Sequence, residues 1–397
     1  MNKPKSLIYR YAFTAIFLLG IVAQQAFARQ TEYTKYVDPF VGNADNGHTF
    51  PGACRPFGMI QTSPVTGGIG WRYCSEYVYS DSIIWGFTQD HLNGTGCMDL
   101  GDILVMPSTG KRTRSWDEYR SHFYKTQEFA TPGYYSVYLT DTKVKAELTA
   151  SAHVAFHRYT YDSTDSTSVL IDLQHGPAWN DKQHHSQVNC CETHWEDAYT
   201  LVGHVQNTVW VKQDYFFIIK FNRPVASHIT LNKAADTEKG DRIVATFDGI
   251  EQGEQLLMKI AMSTTSVDGA KMNLYTEVPY WDFAAVKQAA NNEWNTYLKR
   301  IDIEGTDNQK KNFYTSFYHA LIQPNQIADV DGMYRNAADN IVKAENGLFY
   351  STFSCWDTYR AAHPFYTIVM PDRVDAMVSS LVEQAEVQGF LPIWGLW

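Results

Sequence analysis

The sequence has 397 residues, enough at roughly 150 per domain for two or three domains with a sizeable core, which excludes a peptide or a disordered tail. Apolar residues make up 44% and charged residues 19%, the composition of a folded protein, and 33 basic against 43 acidic side chains give a net charge of −10. That balance argues against nucleic acid or an anionic membrane as the main partner, while a 14% aromatic content supplies flat, amphipathic surfaces of the kind sugars stack on.

In chain order, the first element is a targeting signal. Lys3, Lys5 and Arg10 form a positive region, Ala12 to Ala23 is uncharged, and Ala26-Phe27-Ala28 is a small-x-small cleavage site. Residues 1–28 read as a signal peptide cleaved near Ala28, which directs the protein to the periplasm or the medium. The apolar run is shorter than the about 20 residues a spanning helix needs, and no later run is longer, so no membrane span is expected. No Cys precedes Cys54, which removes a lipid anchor at the cleavage point.

Residues 29–275 predict an antiparallel β-sandwich. Short runs rich in β-branched and aromatic residues, such as Tyr134 to Thr140, Val154 to Thr160, Val169 to Leu173 and Tyr215 to Phe221, alternate with turn residues such as Thr131-Pro132-Gly133 and Asp248-Gly249. Near 275 to 280 the period changes. Trp281, Ala285, Ala289, Trp294 and Leu298 recur at helical spacing, so 276–303 predicts a helical linker. Thr306 is the expected N-cap of a second helix, with Phe313, Phe317, Ala320 and Leu321 on one face and Pro324 beyond it. Pro371 or Asp372 opens a third, striped by Val374, Met377, Val378, Leu381, Val382 and Ala385 and stopped by Gly389. Strands followed by helices imply two domains, the helical one starting at 304. Leu391 to Trp397 is an apolar, aromatic run with no polar tail, from which a fragment is expected whose helical domain continues.

Two regions carry candidate chemistry. Residues 36 to 107 are the densest in polar, aromatic and glycine residues, including Gly47-His48-Thr49-Phe50-Pro51-Gly52-Ala53, Gly70-Trp71-Arg72-Tyr73 and Gly86-Phe87-Thr88-Gln89-Asp90-His91-Leu92-Asn93-Gly94-Thr95-Gly96. Glycines let the backbone approach a ligand, Trp71 and Tyr73 offer faces for sugar C–H groups, and His48, His91 and Asn93 offer hydrogen bonds. No phosphate-loop or dinucleotide-binding glycine pattern stands here. The plain alternative is a set of glycine-rich β-turns around a satisfied core histidine. In the helical part, Ser354-Cys355-Trp356-Asp357-Thr358-Tyr359-Arg360 places Asp357 and Arg360 on one face of a helical turn, where a carboxylate beside a guanidinium accepts hydrogen bonds from vicinal hydroxyls and Trp356 stacks nearby. A buried pair that only ties helices is the competing reading.

The six cysteines at 54, 74, 97, 190, 191 and 355 allow fifteen complete pairings, among which sequence does not choose. Cys190 and Cys191 sit near His184, His185 and His194, but adjacent ligands strain a tetrahedral site and no Cys-x-x-Cys pair is present, so a surface loop is expected there and no metal ligand is assigned. Asp329-Val330-Asp331-Gly332 starts like a calcium loop but lacks its remaining ligands and closing Glu; it reads as a hairpin turn.

With these motifs in view, the chain resembles glycoside hydrolase family 92, the calcium-dependent exo-α-mannosidases, from about Tyr36 onward. The likeness rests on Asp38-Pro39-Phe40-Val41-Gly42, the Gly47 to Ala53 and Gly86 to Gly96 segments, Trp356-Asp357-Thr358-Tyr359-Arg360 and Gly389-Phe390-Leu391-Pro392. It implies an N-terminal β-sandwich followed by the beginning of an (α/α)6 barrel, with a pocket for mannose-containing glycans at their junction. It implies release of terminal α-linked mannose, with α-1,2 the expected linkage, with inversion and with the help of Ca2+. Trp356, Asp357 and Arg360 match a sugar-binding segment, and Trp71 and His91 the sandwich's share of the pocket. The catalytic acid and base and the calcium ligands are expected beyond residue 397, so this chain is expected to be incomplete and inactive alone. The alternative is a secreted glycan-binding protein without catalysis.

Overall fold

Most strands of the N-terminal part pair into two large antiparallel sheets. In a computed structural model that describes residues 32–110, 116–163, 165–176, 188–208, 210–231 and 240–396, the first sheet runs Ala53–Cys54, Gln61–Val65, Gly86–Thr88, Leu104–Thr109, Thr167–Asp172, Arg242–Phe247 and Ser227–Leu231 in spatial order. The second runs Val188–Asp197, Thr200–Thr208, Lys212–Phe221, Gln255–Ser263, Val154–Tyr161, Val144–Ala150, Tyr134–Leu139 and Glu128–Thr131. Their facing sides share one core, with Phe87, Val105 and Ile171 from the first sheet and Tyr135, Tyr159 and Ile260 from the second. The other face of the second sheet is covered as well. Val154, Phe156, Ile218 and Ala261 pack against Ala270, Leu274 and Phe283 of the following helices. Burial on both faces explains why these strands read as near-continuous apolar runs.

The first helix, α1 (Val267–Glu277), directly follows the last strand, capped by Ser266, and so lies inside the stretch expected to be sandwich. Its sequence hides it, because Gly269 and Asn273 are buried where a simple apolar stripe would be expected. A Cβ on Gly269 would stand 2.5 Å from an Asp329 carboxyl oxygen, and Asn273 Nδ2 donates to the other at 2.7 Å. Helix α2 (Phe283–Leu298) lies on the sheet edge: Trp294 is fully buried and its indole N–H donates to Cys54 O at 2.8 Å, while Arg55 pairs with Glu293. Helix α3 (Asp307–Ala320) starts at Thr306 as expected, in a reciprocal capping box with Gln309.

Beyond it come short strands, then α4 (Cys355–Thr358), α5 (Ala362–Val369) and α6 (Pro371–Gln388), the last opened by Pro371 and ended by Gly389 at φ +83°. Asp329 to Gly332 is a tight turn leading into a small hairpin of Met333–Arg335 with Ile341–Lys343. Thr34–Trp397 is one compact unit, and the two lobes within it are tied by backbone as well as side chains. Phe57 N–H donates to Leu321 O at 2.8 Å, Gln326 N–H to Phe57 O at 2.8 Å, and Asn325 Nδ2 to Gly58 O at 2.7 Å.

The stretch expected to be a surface loop at Cys190 and Cys191 is instead the edge strand Val188–Asp197 of the second sheet, interrupted by a register shift between Val188 and Cys190. Burial pushes the Cys191 thiol up to about 12. His184 and His185 lie outside the described residues, as do residues 1–28, the expected signal peptide. No helix among the described residues is long and apolar enough to cross a membrane.

Candidate functional site

The two lobes enclose a cavity of about 620 Å³, within the range of small-ligand sites. The sandwich contributes Trp71 and the glycine-rich segment after Leu92; the helical part contributes Gln323, Thr352 to Ser354 and Trp356 to Thr358. Trp71 and Asp357, far apart in sequence, line the same space.

Trp71 opens a single 3₁₀ turn, Trp71–Tyr73, made possible by Gly70 at φ +83°. Its indole is 51% exposed, leaving one face for a ligand. The ring is held edge-on against His48, with centroids 4.9 Å apart, and it lies directly over Gly96. A Cβ on Gly96 would stand 1.9 Å from the indole, so a larger side chain there would displace the ring. Burial lowers the His48 pKa, which favours a neutral imidazole beside the tryptophan.

Gln323 joins the lobes at the cavity floor. Its Oε1 accepts from Asn93 N–H at 3.3 Å and its Nε2 donates to His91 O at 3.3 Å. Its own carbonyl, with that of Ala320, accepts from the Tyr366 hydroxyl at 3.0 and 2.6 Å. Two polar atoms of lining residues remain without a partner among the described residues: Asn93 Oδ1 and His319 Nε2. Burial brings the His319 pKa down to about 4, so its imidazole is neutral near pH 7 and offers one donor and one acceptor. Such groups are completed by a ligand or by water.

The structure sorts the residues singled out by sequence. Trp71, Trp356 and Asp357 line the cavity together, with Trp356 66% exposed. Asp357 accepts from the Ser354 hydroxyl, which in turn accepts from the Trp394 indole N–H at 3.0 Å. His91 is placed differently. Its ring turns into the sandwich, fully buried, with Nδ1 2.7 Å from Gln61 O and Nε2 2.9 Å from Thr88 Oγ1 and 3.3 Å from Glu76, and only its carbonyl serves the cavity wall. Arg360 is also placed apart from the other three. Helix α4 ends at Thr358, before Arg360; Arg360 bonds the Tyr359 hydroxyl at 2.6 Å and is not among the lining residues.

Sequence reasoning did not reach Trp210, Trp394 and His319. Trp210 and Trp394 approach with ring centroids 6.4 Å apart at the cavity edge. Trp394 is brought there by strand pairing of Phe353–Ser354 with Trp394–Gly395, a long-range contact with no local signature beyond an unexplained apolar terminus. The arrangement of several indoles, neutral amides and hydroxyls around a single carboxyl side chain suits a neutral, polyhydroxylated ligand. Asp357 is the one carboxyl among the described lining residues.

Two family models match the chain: the glycosyl hydrolase family 92 N-terminal domain over residues 36–263 and the glycosyl hydrolase family 92 catalytic domain over residues 269–397. Among solved structures, the family GH92 α-mannosidase BT3965 from Bacteroides thetaiotaomicron is 30% identical with a TM-score of 0.84, over 92% of this chain and 51% of that one. The family GH92 inverting mannosidase BT2199 from Bacteroides thetaiotaomicron VPI-5482 is 26% identical with a TM-score of 0.79, over 92% and 50%. An uncharacterized secreted glycosidase of Arthroderma benhamiae is 23% identical over 390 residues, 88% of this chain and 48% of that protein. The chain therefore spans about half the length of these relatives.

Proposed function

Because the chain belongs to glycosyl hydrolase family 92, we propose that it is the sugar-gripping part of a glycosidase that releases terminal α-linked mannose from glycans with inversion. The observation that carries this reading is the shared cavity lined by Trp71 from the sandwich and Trp356 and Asp357 from the helical part. In it Trp71 takes the apolar face of the terminal pyranose, Asp357 accepts from its hydroxyls, and Asn93 Oδ1 and His319 Nε2 gain the partners they lack. Two relatives support the sugar and the stereochemistry: BT3965 has been solved with mannoimidazole, and BT2199 is described as an inverting mannosidase. The division proposed for the chain is a sandwich over 29–275, a linker over 276–303 and a helical domain from 304, with export directed by residues 1–28.

Inversion requires a carboxylic acid and a carboxylate about 6.5–9.5 Å apart. With a single carboxyl among the described lining residues, what these residues supply is binding, orientation and exclusion of water. Among the described residues no three His, Cys, Asp or Glu side chains converge to hold the calcium that the family resemblance implies, so these residues do not fit that ion.

The single lining carboxyl also favours a second reading, a glycan-binding protein without hydrolysis. Titration of the 397-residue chain with methyl α-mannoside, together with a hydrolysis assay on α-1,2-mannobiose, tests both. Binding weakened by Trp71→Ala and by Asp357→Asn, with thermal stability retained, is the expected outcome. Variants that bind like the wild type would remove the cavity from the account, and turnover by this chain would remove the binding-only reading.

A further inference from the structure

Trp71 faces the cavity just described, and Tyr73, two residues on in the same turn, lines another of about 410 Å³ on the sandwich. This second cavity carries a prepared polar surface. Asp172 and Arg242 pair at 2.8 Å with side chains only 4% and 6% exposed, and His175 Nε2 lies 2.6 Å from Glu76. Gln174, 1% exposed, donates through Nε2 to Gly240 O at 2.8 Å, while its Oε1 has no partner among the described residues. Tyr73 and Trp85 add aromatic surface, both partly exposed, and the Tyr73 ring is steered by its hydroxyl donating to Asp81 at 2.9 Å.

Each feature narrows the ligand. A buried acceptor without a donor is costly to keep unless something completes it, so the ligand brings an O–H or N–H to Gln174 Oε1. The fixed charges cancel in pairs, Asp172 with Arg242 and Glu76 with His175, which disfavours a phosphate or a carboxylate and favours a neutral molecule. A carboxylate beside a guanidinium offers both acceptor and donor to neighbouring hydroxyls, and aromatic faces accept C–H groups. The volume suits one or two sugar rings.

We propose that the cavity lined by Tyr73, Trp85, Gln174 and the Asp172–Arg242 pair is a second, non-catalytic binding site for a neutral pyranose. With two sugar sites flanking one three-residue turn, a branched glycan can engage both, and the second contact then acts at the high effective concentration set by the short span between branches. The site does not depend on the first cavity being a mannose pocket.

The test uses the 397-residue chain and the methyl α-glycosides of mannose, glucose, galactose and N-acetylglucosamine, by ligand-observed NMR titration and by soaking crystals. One of the glycosides is expected to occupy the cavity against Gln174. Gln174→Met should then weaken that binding at least tenfold while Trp71→Ala leaves it in place, and the reverse should hold for sugar bound at the first cavity. If no glycoside of the four occupies the Gln174 cavity, or if Gln174→Met with an unchanged melting temperature binds as the wild type does, the proposal is overturned. The soaked wild-type crystals decide the matter even where the Gln174 variant fails to fold.

Discussion

Gly96→Ala is the sharpest perturbation of the sugar-gripping cavity, because it removes no ligand contact of its own. A methyl group there would meet Trp71 at 1.9, 2.4 and 2.7 Å, so the indole has to leave its seat. Gly96 is not among the residues of positive φ, so the backbone accepts alanine and the fold should survive. The loss follows from the area involved. A tryptophan presents up to about 250 Å² and roughly half of it is free for a ligand here; at ~25 cal/mol per Å² its complete burial is worth ~3 kcal/mol at most. With incomplete burial the expected loss is ~1.5–3 kcal/mol, a weakening of about 10- to 100-fold. Calorimetric titration with methyl α-mannoside should therefore place Gly96→Ala beside Trp71→Ala, with little further loss in the double variant because both act through one ring. Wild-type affinity in Gly96→Ala, or fully additive losses in the double variant, would refute the reasoning.

Three further outcomes are expected. Asp357→Asn should weaken sugar binding severalfold, whereas Arg360→Ala should leave it within twofold, since Arg360 is bonded to Tyr359 away from the cavity; the same titration reads both. His319 has its pKa lowered by burial to about 4, below the ~6.5 of an unfolded histidine, so its contribution to stability is present above pH 6.5 and is lost as pH falls towards 4. Denaturant unfolding at pH 7 and 4.5 should accordingly show His319→Gln losing ~2–3 kcal/mol less than the wild type on acidification, and equal losses would contradict a buried neutral imidazole. Thr306→Ala removes the capping box of helix α3 and should cost ~1 kcal/mol, visible as a lowered denaturation midpoint with an unchanged slope.

Much of the architecture was legible because its determinants are local. Turn residues at Thr131-Pro132-Gly133, the cap at Thr306, Pro371 at the start of α6 and Gly389 at its end act within a few residues of themselves, and each stands where its chemistry required. Trp71 and Asp357 were identifiable as candidates, being aromatic and polar residues in glycine-rich or motif-bearing segments. Their meeting in one cavity was a tertiary matter. It depends on the backbone tie between Phe57 and Leu321 and on the Gln323 clasp to His91 and Asn93, contacts that no local pattern announces.

The same distinction accounts for the differences. A histidine between glycines has the same sequence signature whether its ring faces a ligand or the core, and only the neighbouring Glu76, Thr88 and Gln61 decide that His91 turns inward. Helical spacing put Asp357 and Arg360 on one face, but the helix stops after one turn. Edge pairing made a strand of the Cys190–Cys191 stretch. Sequence by itself determined the strand-then-helix order, the capped ends of α3 and α6 and the aromatic and polar residue types available for a sugar, since propensity, caps and periodicity are short-range. Tertiary structure alone decided which of those residues share a cavity and which are spent on the core, because that depends on burial and on partners brought together from distant parts of the chain.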